Sequence, residues 1–171
     1  MKPAPELFTI GYEGANWSDF LATLQALEVS LIVDIRDRAQ SRKRDFSKSR
    51  MSQALSEAGI GYLHLKELGD PAPGRRAARD GDFALFREIY AGVLQTGAAQ
   101  HALDRILHLI EQSKVCMLCY ERDWVNCHRK IVSDRISSER GASVAHLVAG
   151  NVKAWREKSG RVHDPDQSLA A

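Results

Sequence analysis

The stretch CYERDWVNCHR, residues 119–129, gathers the side chains best suited to chemistry in this 171-residue chain. Two thiols (Cys119 and Cys127), a carboxylate (Glu121), an imidazole (His128) and a guanidinium (Arg129) fall within eleven positions. With Cys116 added, the spacing as metal ligands reads C-x2-C-x7-C-H, whose adjacent terminal ligands match no common knuckle or ribbon. Three positions along a strand also set Cys116 and Cys119 on opposite faces, so Cys116 reads as core. The expectation is therefore no metal and no cofactor, with zinc on the cysteines and His128 kept as an alternative. Asn126 is a good N-cap, which puts Cys127, His128 and Arg129 in the first helical positions. A thiol there is acidified by the helix dipole, whereas each cation is disfavoured by roughly 0.3–1 kcal/mol. Glu121, or a bound phosphate or carboxylate, is expected to compensate. A tyrosine-phosphatase loop is excluded, because Val125 stands six residues after Cys119 where that loop needs arginine.

Other reactive side chains recur at strand ends. Asp34 and Arg36 in VDIR share a face by the strand period of two, and reach either one ligand or each other. Arg36 opens RDRAQSRKRDFSKSR, with seven basic and two acidic residues in a chain of net charge +2. That run, holding Ser41 and Arg42, is either a solvated face or a basic rim that steers a phosphate-bearing substrate. Arg75, Arg76 and Arg79 would extend the rim, and few aromatics interleave it, so a stacking groove for single strands is not indicated. GYEG lacks the dinucleotide fingerprint, and no Walker A loop is present. Its glycine-bearing turn, with Gly11 and Glu13, could still offer backbone N–H groups to an anion.

The elements that carry these residues alternate short β-branched runs with segments of helical period, the pattern of βαβ units. Five strands are expected: Leu7–Tyr12, Leu31–Arg36, Tyr62–Lys66, Val115–Tyr120 and Ser143–Val148. Helices are expected from Trp17, around Met51 to Ala58 with Gly59 as the stop, over Phe83–Leu94, around Leu103–Ile110, and from Asn126 to about Arg140. DPAPGRRAARDGD, with two prolines and two glycines, reads as a long loop. The fold class is thus α/β: one domain over 1–150, an open, mostly parallel sheet of order 3-2-1-4-5 with helices on both faces, and a polar tail over 151–171 with a short turn at Trp155. The carboxyl edge then collects Tyr12 and Glu13, Asp34 and Arg36, His64 and Lys66, Cys119 to Glu121, and His146, whereas the amino edge is bland. Ligands of such sheets bind at the carboxyl edge.

Length allows one domain at about 150 residues each. A modest net charge does not argue for nucleic acid alone. No signal-peptide or membrane-span pattern occurs, and three cysteines within twelve residues are no disulfide framework, so a reducing cytoplasmic setting is expected, with no membrane partner. Oligomeric state is not legible.

Taken together, TIGYEG, VDIR followed by SRKRDFSK, GIGYLHLKELG and CYERDWVNCHR resemble the bacterial and archaeal domain-of-unknown-function family 488. The resemblance spans Phe8 to about Leu147. It implies a compact α/β fold and no particular activity. Its pattern is matched at Gly11, Asp34, Arg36, Ser41, Arg42, Tyr62, Leu68, Gly69, Cys119, Glu121, Cys127, His128 and Arg129. Glu13 stands where the family usually has serine or threonine, and Ala39 where it usually has proline.

The functional expectation is an enzyme that hydrolyses or transfers a group of a phosphate-bearing, nucleotide or nucleic-acid-related substrate. Asp34 or Glu121 would be base or nucleophile, His64 or His128 the acid, and Cys127 or Cys119 a thiol alternative. Gly11, Glu13, Arg36, Ser41, Arg42, Tyr62, His64, Cys119 and Arg129 would bind substrate. The alternatives are a non-catalytic nucleic-acid or ligand-binding module and the zinc protein.

Overall fold

The computed structural model describes residues 3–151; the expected tail and the turn at Trp155 lie outside them. Five parallel strands, β1 (Glu6–Gly11), β2 (Leu31–Asp34), β3 (Gly61–His64), β4 (Val115–Cys119) and β5 (Ser143–Val148), form one sheet. Its order is β3-β2-β4-β1-β5. The expectation of 3-2-1-4-5 is corrected at the centre, where β4 lies between β2 and β1, with Ile32 opposite Cys116 on one side and Phe8 opposite Cys116 on the other. The physical reason is apolarity: every residue of VCMLC is buried, and a strand buried on both faces belongs in the middle.

Helices cover both faces. Against Leu7, Val33, Val115 and Met117 pack α3 (Ala72–Arg79), α4 (Phe83–Leu94), α5 (Gly97–Leu109) and α6 (His128–Arg140). Against Phe8, Ile10, Ile32, Cys116 and Leu118 pack α1 (Trp17–Ala26) and α2 (Lys48–Glu57). Alternate residues of β4 thus serve opposite cores, and Cys116 is core as its spacing implied. Among the described residues no helix is long and apolar enough to cross a membrane.

Local signals work as their chemistry suggests. Asn16 caps α1, its side-chain oxygen accepting from the Asp19 N–H at 2.8 Å. Gly59, at φ 76°, follows α2 in the left-handed conformation that lets the chain turn away. Two expectations are corrected. DPAPGRRAARDGD is not all loop, because α3 starts right after Pro71; prolines are tolerated in a first helical turn, whose N–H groups lack partners anyway, and the alanines and arginines that follow are good helix formers. And α6 is capped by Cys127 rather than Asn126, the sulfur accepting from the Arg129 N–H at 3.4 Å.

The basic segment after β2 is pinned by Phe46, which stacks on Tyr12 at 4.6 Å and meets Phe20 edge-on at 5.1 Å. Such pairs add about 0.5–1.5 kcal/mol each beyond area burial. At the other end of β1, Gly11 permits a backbone approach that nothing larger would allow. A Cβ there would lie 1.7 Å from the Glu121 carbonyl oxygen and 2.7 Å from the Arg129 guanidinium. Gly11→Ala is expected to cost about 3 kcal/mol in urea denaturation, since neither backbone nor buried arginine can yield. Gly92→Ala, in α4 with open space around it, is expected to gain about 0.4–1 kcal/mol.

Candidate active site

The first four strands end one or two residues short of their expected bounds, so the polar residues that follow them lie in loops over the carboxyl edge. There a cleft of about 610 Å³ opens. Its walls include Tyr12, Arg36, Asp37, Arg38, Ser41, Arg42, Lys43, Asp70, Arg75, Tyr120, Glu121 and His128.

Asp34 and Arg36 form the frame beneath it. The Arg36 guanidinium donates through Nε to Asp34 Oδ1 at 2.8 Å and through Nη2 to Oδ2 at 2.7 Å. Its Nη1 reaches Tyr12 Oη at 3.2 Å and the Phe46 carbonyl at 2.8 Å. Tyr62 donates its hydroxyl to Asp34 Oδ2 at 2.5 Å. Burial, reinforced by the Asp34 carboxylate, pushes the Tyr62 phenol well up, so it remains a donor. Asp34 is wholly buried and both its oxygens are taken; of this frame Arg36 and Tyr12 line the cleft, and Asp34 and Tyr62 do not. His64 holds the Arg36 carbonyl through Nε2 at 2.7 Å. Ser41 shapes the rim, its Oγ accepting from the Lys43 N–H at 3.1 Å.

A second frame lies behind Glu121 and His128. Arg129 is fully buried. Its guanidinium donates to the Glu121 carbonyl at 3.1 Å, the Arg122 carbonyl at 3.4 Å and Cys119 Sγ at 3.4 Å. It forms no ion pair among the described residues, and its Nε has no partner there. Cys119 and Cys127 meet at an Sγ–Sγ distance of 3.1 Å, and Cys127 Sγ lies 3.4 Å from Glu121 Oε2 and 3.6 Å from His128 Nδ1. His128 Nε2 contacts the Ile35 carbonyl at 3.0 Å. A carbonyl only accepts, so Nε2 carries the proton and Nδ1 is left to the sulfur. The potential ligand atoms of Cys119, Glu121 and Cys127 lie within 4.8 Å of one another. The Arg129 cation already on Cys119 opposes a dication at that point.

The cleft's carboxyls are driven apart. Burial pushes the Asp70 carboxyl up to about 6, with Glu121 and Asp37 adding repulsion against the opposing pull of His128 and Arg75. Its Oδ1 has no partner among the described residues. Burial also raises Glu121, but His128 and hydrogen bonds from its own backbone N–H and the two sulfurs outweigh that and hold it below the usual glutamate value. Arg75 bridges Asp37 Oδ2 at 2.9 Å and the Asp70 carbonyl at 2.5 Å. Arg38 and Arg42 are exposed and form no ion pair among the described residues.

Of the residues singled out by sequence, Arg36, Ser41, Arg42, Glu121 and His128 line the cleft, and Asp34, Tyr62, His64, Cys119, Cys127 and Arg129 support it from behind. Gly11 and Glu13 face a separate recess of only about 20 Å³, where Glu13 Oε2 accepts from the Arg122 N–H at 3.0 Å. His146 is buried away from the cleft, bonded to Thr9 Oγ1 at 2.7 Å and stacked on Trp124 at 3.9 Å. Burial and the nearby Arg129 and Lys130 push its imidazole down to about 3. Asp70 and Asp37 were not singled out. A signal for Asp70 existed in Gly74, a glycine inside α3 whose added Cβ would lie 2.0 Å from Asp70 Oδ1.

The model of the family described as "Domain of unknown function DUF488" matches residues 16–136. The chain belongs to the DUF488 family. No curated protein and no solved structure matches it. The matched span of this DUF488 chain carries β2, the basic rim, Asp70 and the whole of residues 119–129, so nearly all of the cleft falls within it, Tyr12 excepted.

Two stability outcomes follow from these environments. Arg36→Met leaves the Asp34 carboxylate buried without its charge partner, and denaturation at neutral pH is expected to show a loss of about 3–5 kcal/mol. Asp70 has a folded value raised above the unfolded one, 3.8 to about 6, so the stability it contributes is present below pH 4 and lost as pH rises through 6. Asp70→Asn should therefore melt higher than the parent at pH 7, by a margin that closes as the pH falls to 4.

Proposed function

We propose that this protein is an enzyme that binds a phosphate-bearing substrate, a nucleotide or nucleic-acid component, in the carboxyl-edge cleft and hydrolyses it or transfers a group from it. The observation that carries this reading is the pair Asp70 and Glu121: two carboxyls in one cleft whose environments push their proton affinities in opposite directions. Such divergence is how a site keeps one acid protonated while its neighbour stays ionised. Glu121, ionised, takes the proton of an attacking water or hydroxyl. Asp70, protonated below pH 6, returns one to the leaving oxygen. Arg38 and Arg42, without acidic partners among the described residues, supply the charge-assisted hydrogen bonds that hold phosphate oxygens, and Arg75 adds a third guanidinium. Asp34 takes a supporting role in place of the base or nucleophile role expected of it, because its oxygens are already bonded to Arg36 and Tyr62.

The exposed basic residues of the rim also favour a second reading, nucleic-acid binding without chemistry. The two separate on one set of measurements. Hydrolysis of a panel of nucleotides and bis(p-nitrophenyl) phosphate is followed from pH 4 to 8, beside binding of single- and double-stranded DNA across salt. The enzyme reading expects turnover that falls above about pH 6. Asp70→Asn or Glu121→Gln should lose at least about 100-fold in kcat, the first with its alkaline limb abolished, and Arg42→Ala should raise KM more than it lowers kcat. Salt-sensitive DNA binding with no turnover of any probe would favour the second reading and contradict the first.

A further inference from the structure

Arg129 raises a question that the phosphate reading does not answer. A guanidinium is always charged, and burying it without an opposite charge is costly. Three of its contacts are known, and two of them are neutral carbonyls. The third is Cys119 Sγ, and the same residue's backbone N–H reaches Cys127 Sγ. Both sulfurs therefore accept from Arg129 while lying 3.1 Å from each other, close enough for a small movement to join them. The sulfurs, with the Glu121 carboxylate beyond Cys127, are the polar surroundings that the buried cation meets.

The two sulfurs are not equivalent. Cys127 caps α6, a helix of 13 residues, so the helix N-terminus favours negative charge on it. His128 Nδ1 lies 3.6 Å away, within reach of the thiol proton. The other groups facing it are Glu121, whose Oε2 accepts from the Cys127 thiol, and Tyr90, whose ring packs edge-on against His128. Cys119 is fully buried beneath, and burial pushes its thiol up, so it keeps its proton. Cys127 lies directly behind Glu121 and His128, the two groups that separate it from the cleft.

We propose that Cys119 and Cys127 form an oxidisable thiol pair, Cys127 attacking and Cys119 resolving, that hydrogen peroxide converts to a disulfide. In the first step Cys127 Sγ attacks one peroxide oxygen, an S–O bond forms, the O–O bond breaks, and the thiol proton passes to the departing hydroxide, which leaves as water. In the second, Cys119 gives up its proton and attacks Cys127 Sγ; the S–S bond forms and the sulfenic oxygen leaves as a second water. Two thiols lose two electrons and the peroxide gains them. The sulfurs must close by about 1 Å to reach a bond length near 2.0 Å. Oxidation removes the S–H that Cys127 donates to Glu121 Oε2, so the loop carrying Glu121 is expected to loosen.

The test treats the full chain with hydrogen peroxide, alkylates remaining thiols, and maps peptides by mass. The expected product has lost two hydrogens, links Cys119 to Cys127, and leaves Cys116 alkylated. In Cys119→Ser the reaction should stop at a Cys127 sulfenic acid that dimedone captures, while Cys127→Ser should give no dimedone adduct at Cys119. Three alkylatable thiols after treatment, a link through Cys116, or an adduct on Cys119 ahead of Cys127 would overturn the proposal. So would stoichiometric zinc in the purified protein that shields both sulfurs. The outcome on the parent chain does not depend on either variant folding, nor on whether the cleft turns over phosphate.

Discussion

The buried guanidinium of Arg129 is the constraint around which the carboxyl edge is arranged. It lies under the end of β1, where only the missing side chain of Gly11 leaves room for it and for the Glu121 carbonyl. From there it holds the carbonyls of residues 121 and 122 and both sulfurs of the site. The loop after β4 is thereby tied to the start of α6 and to the β1 end at once. Glu121 and His128 face the cleft as a consequence. A single arginine in this position costs desolvation, and the structure offsets that cost with hydrogen bonds and polarisable sulfur instead of a carboxylate.

A second buried arginine works by different means. Arg36 has a full carboxylate partner in Asp34, which also accepts from Tyr62, and it donates further to Tyr12 Oη and the Phe46 carbonyl. This pair fixes the origin of the basic rim relative to the sheet, while Phe46 anchors the rim's far end in the aromatic cluster. Between the two frames the cleft receives exposed cations from one wall and unequal carboxyls from the other. The central place of β4 matters here, because it brings Cys119 and Glu121 between the ends of β1 and β2 and so between the two frames.

Much of this was legible in sequence. The strand period put Asp34 and Arg36 on one face and separated Cys116 from Cys119, and both follow from backbone geometry alone. The wealth of polar residues at the carboxyl ends pointed to the edge at which the cleft opens. Strand order was not legible, since periodicity reports which residues are buried and not which strands are neighbours. The capping of α6 by Cys127 was missed because sulfur is a weak acceptor, and only the position of Arg129 makes it a good one here. Asp70 was hidden by its prolines: a segment that reads as loop begins a helix instead, and a carboxyl just before that helix becomes buried. The two arginines differ in the same way. Arg36 announced its partner two residues away, whereas Arg129's partners come from β4 and the loop beyond it.

We propose that the cleft binds phosphate, with its oxygens held by the guanidiniums of the rim and its reacting atom facing Glu121 and Asp70. A crystal structure of the full chain grown with a nucleoside monophosphate tests this most directly. The account requires the phosphate to lie against Arg38, Arg42 and Arg75, within hydrogen-bonding reach of Asp70 or Glu121. A phosphate bound elsewhere on the surface, with those arginines turned to solvent, would contradict it.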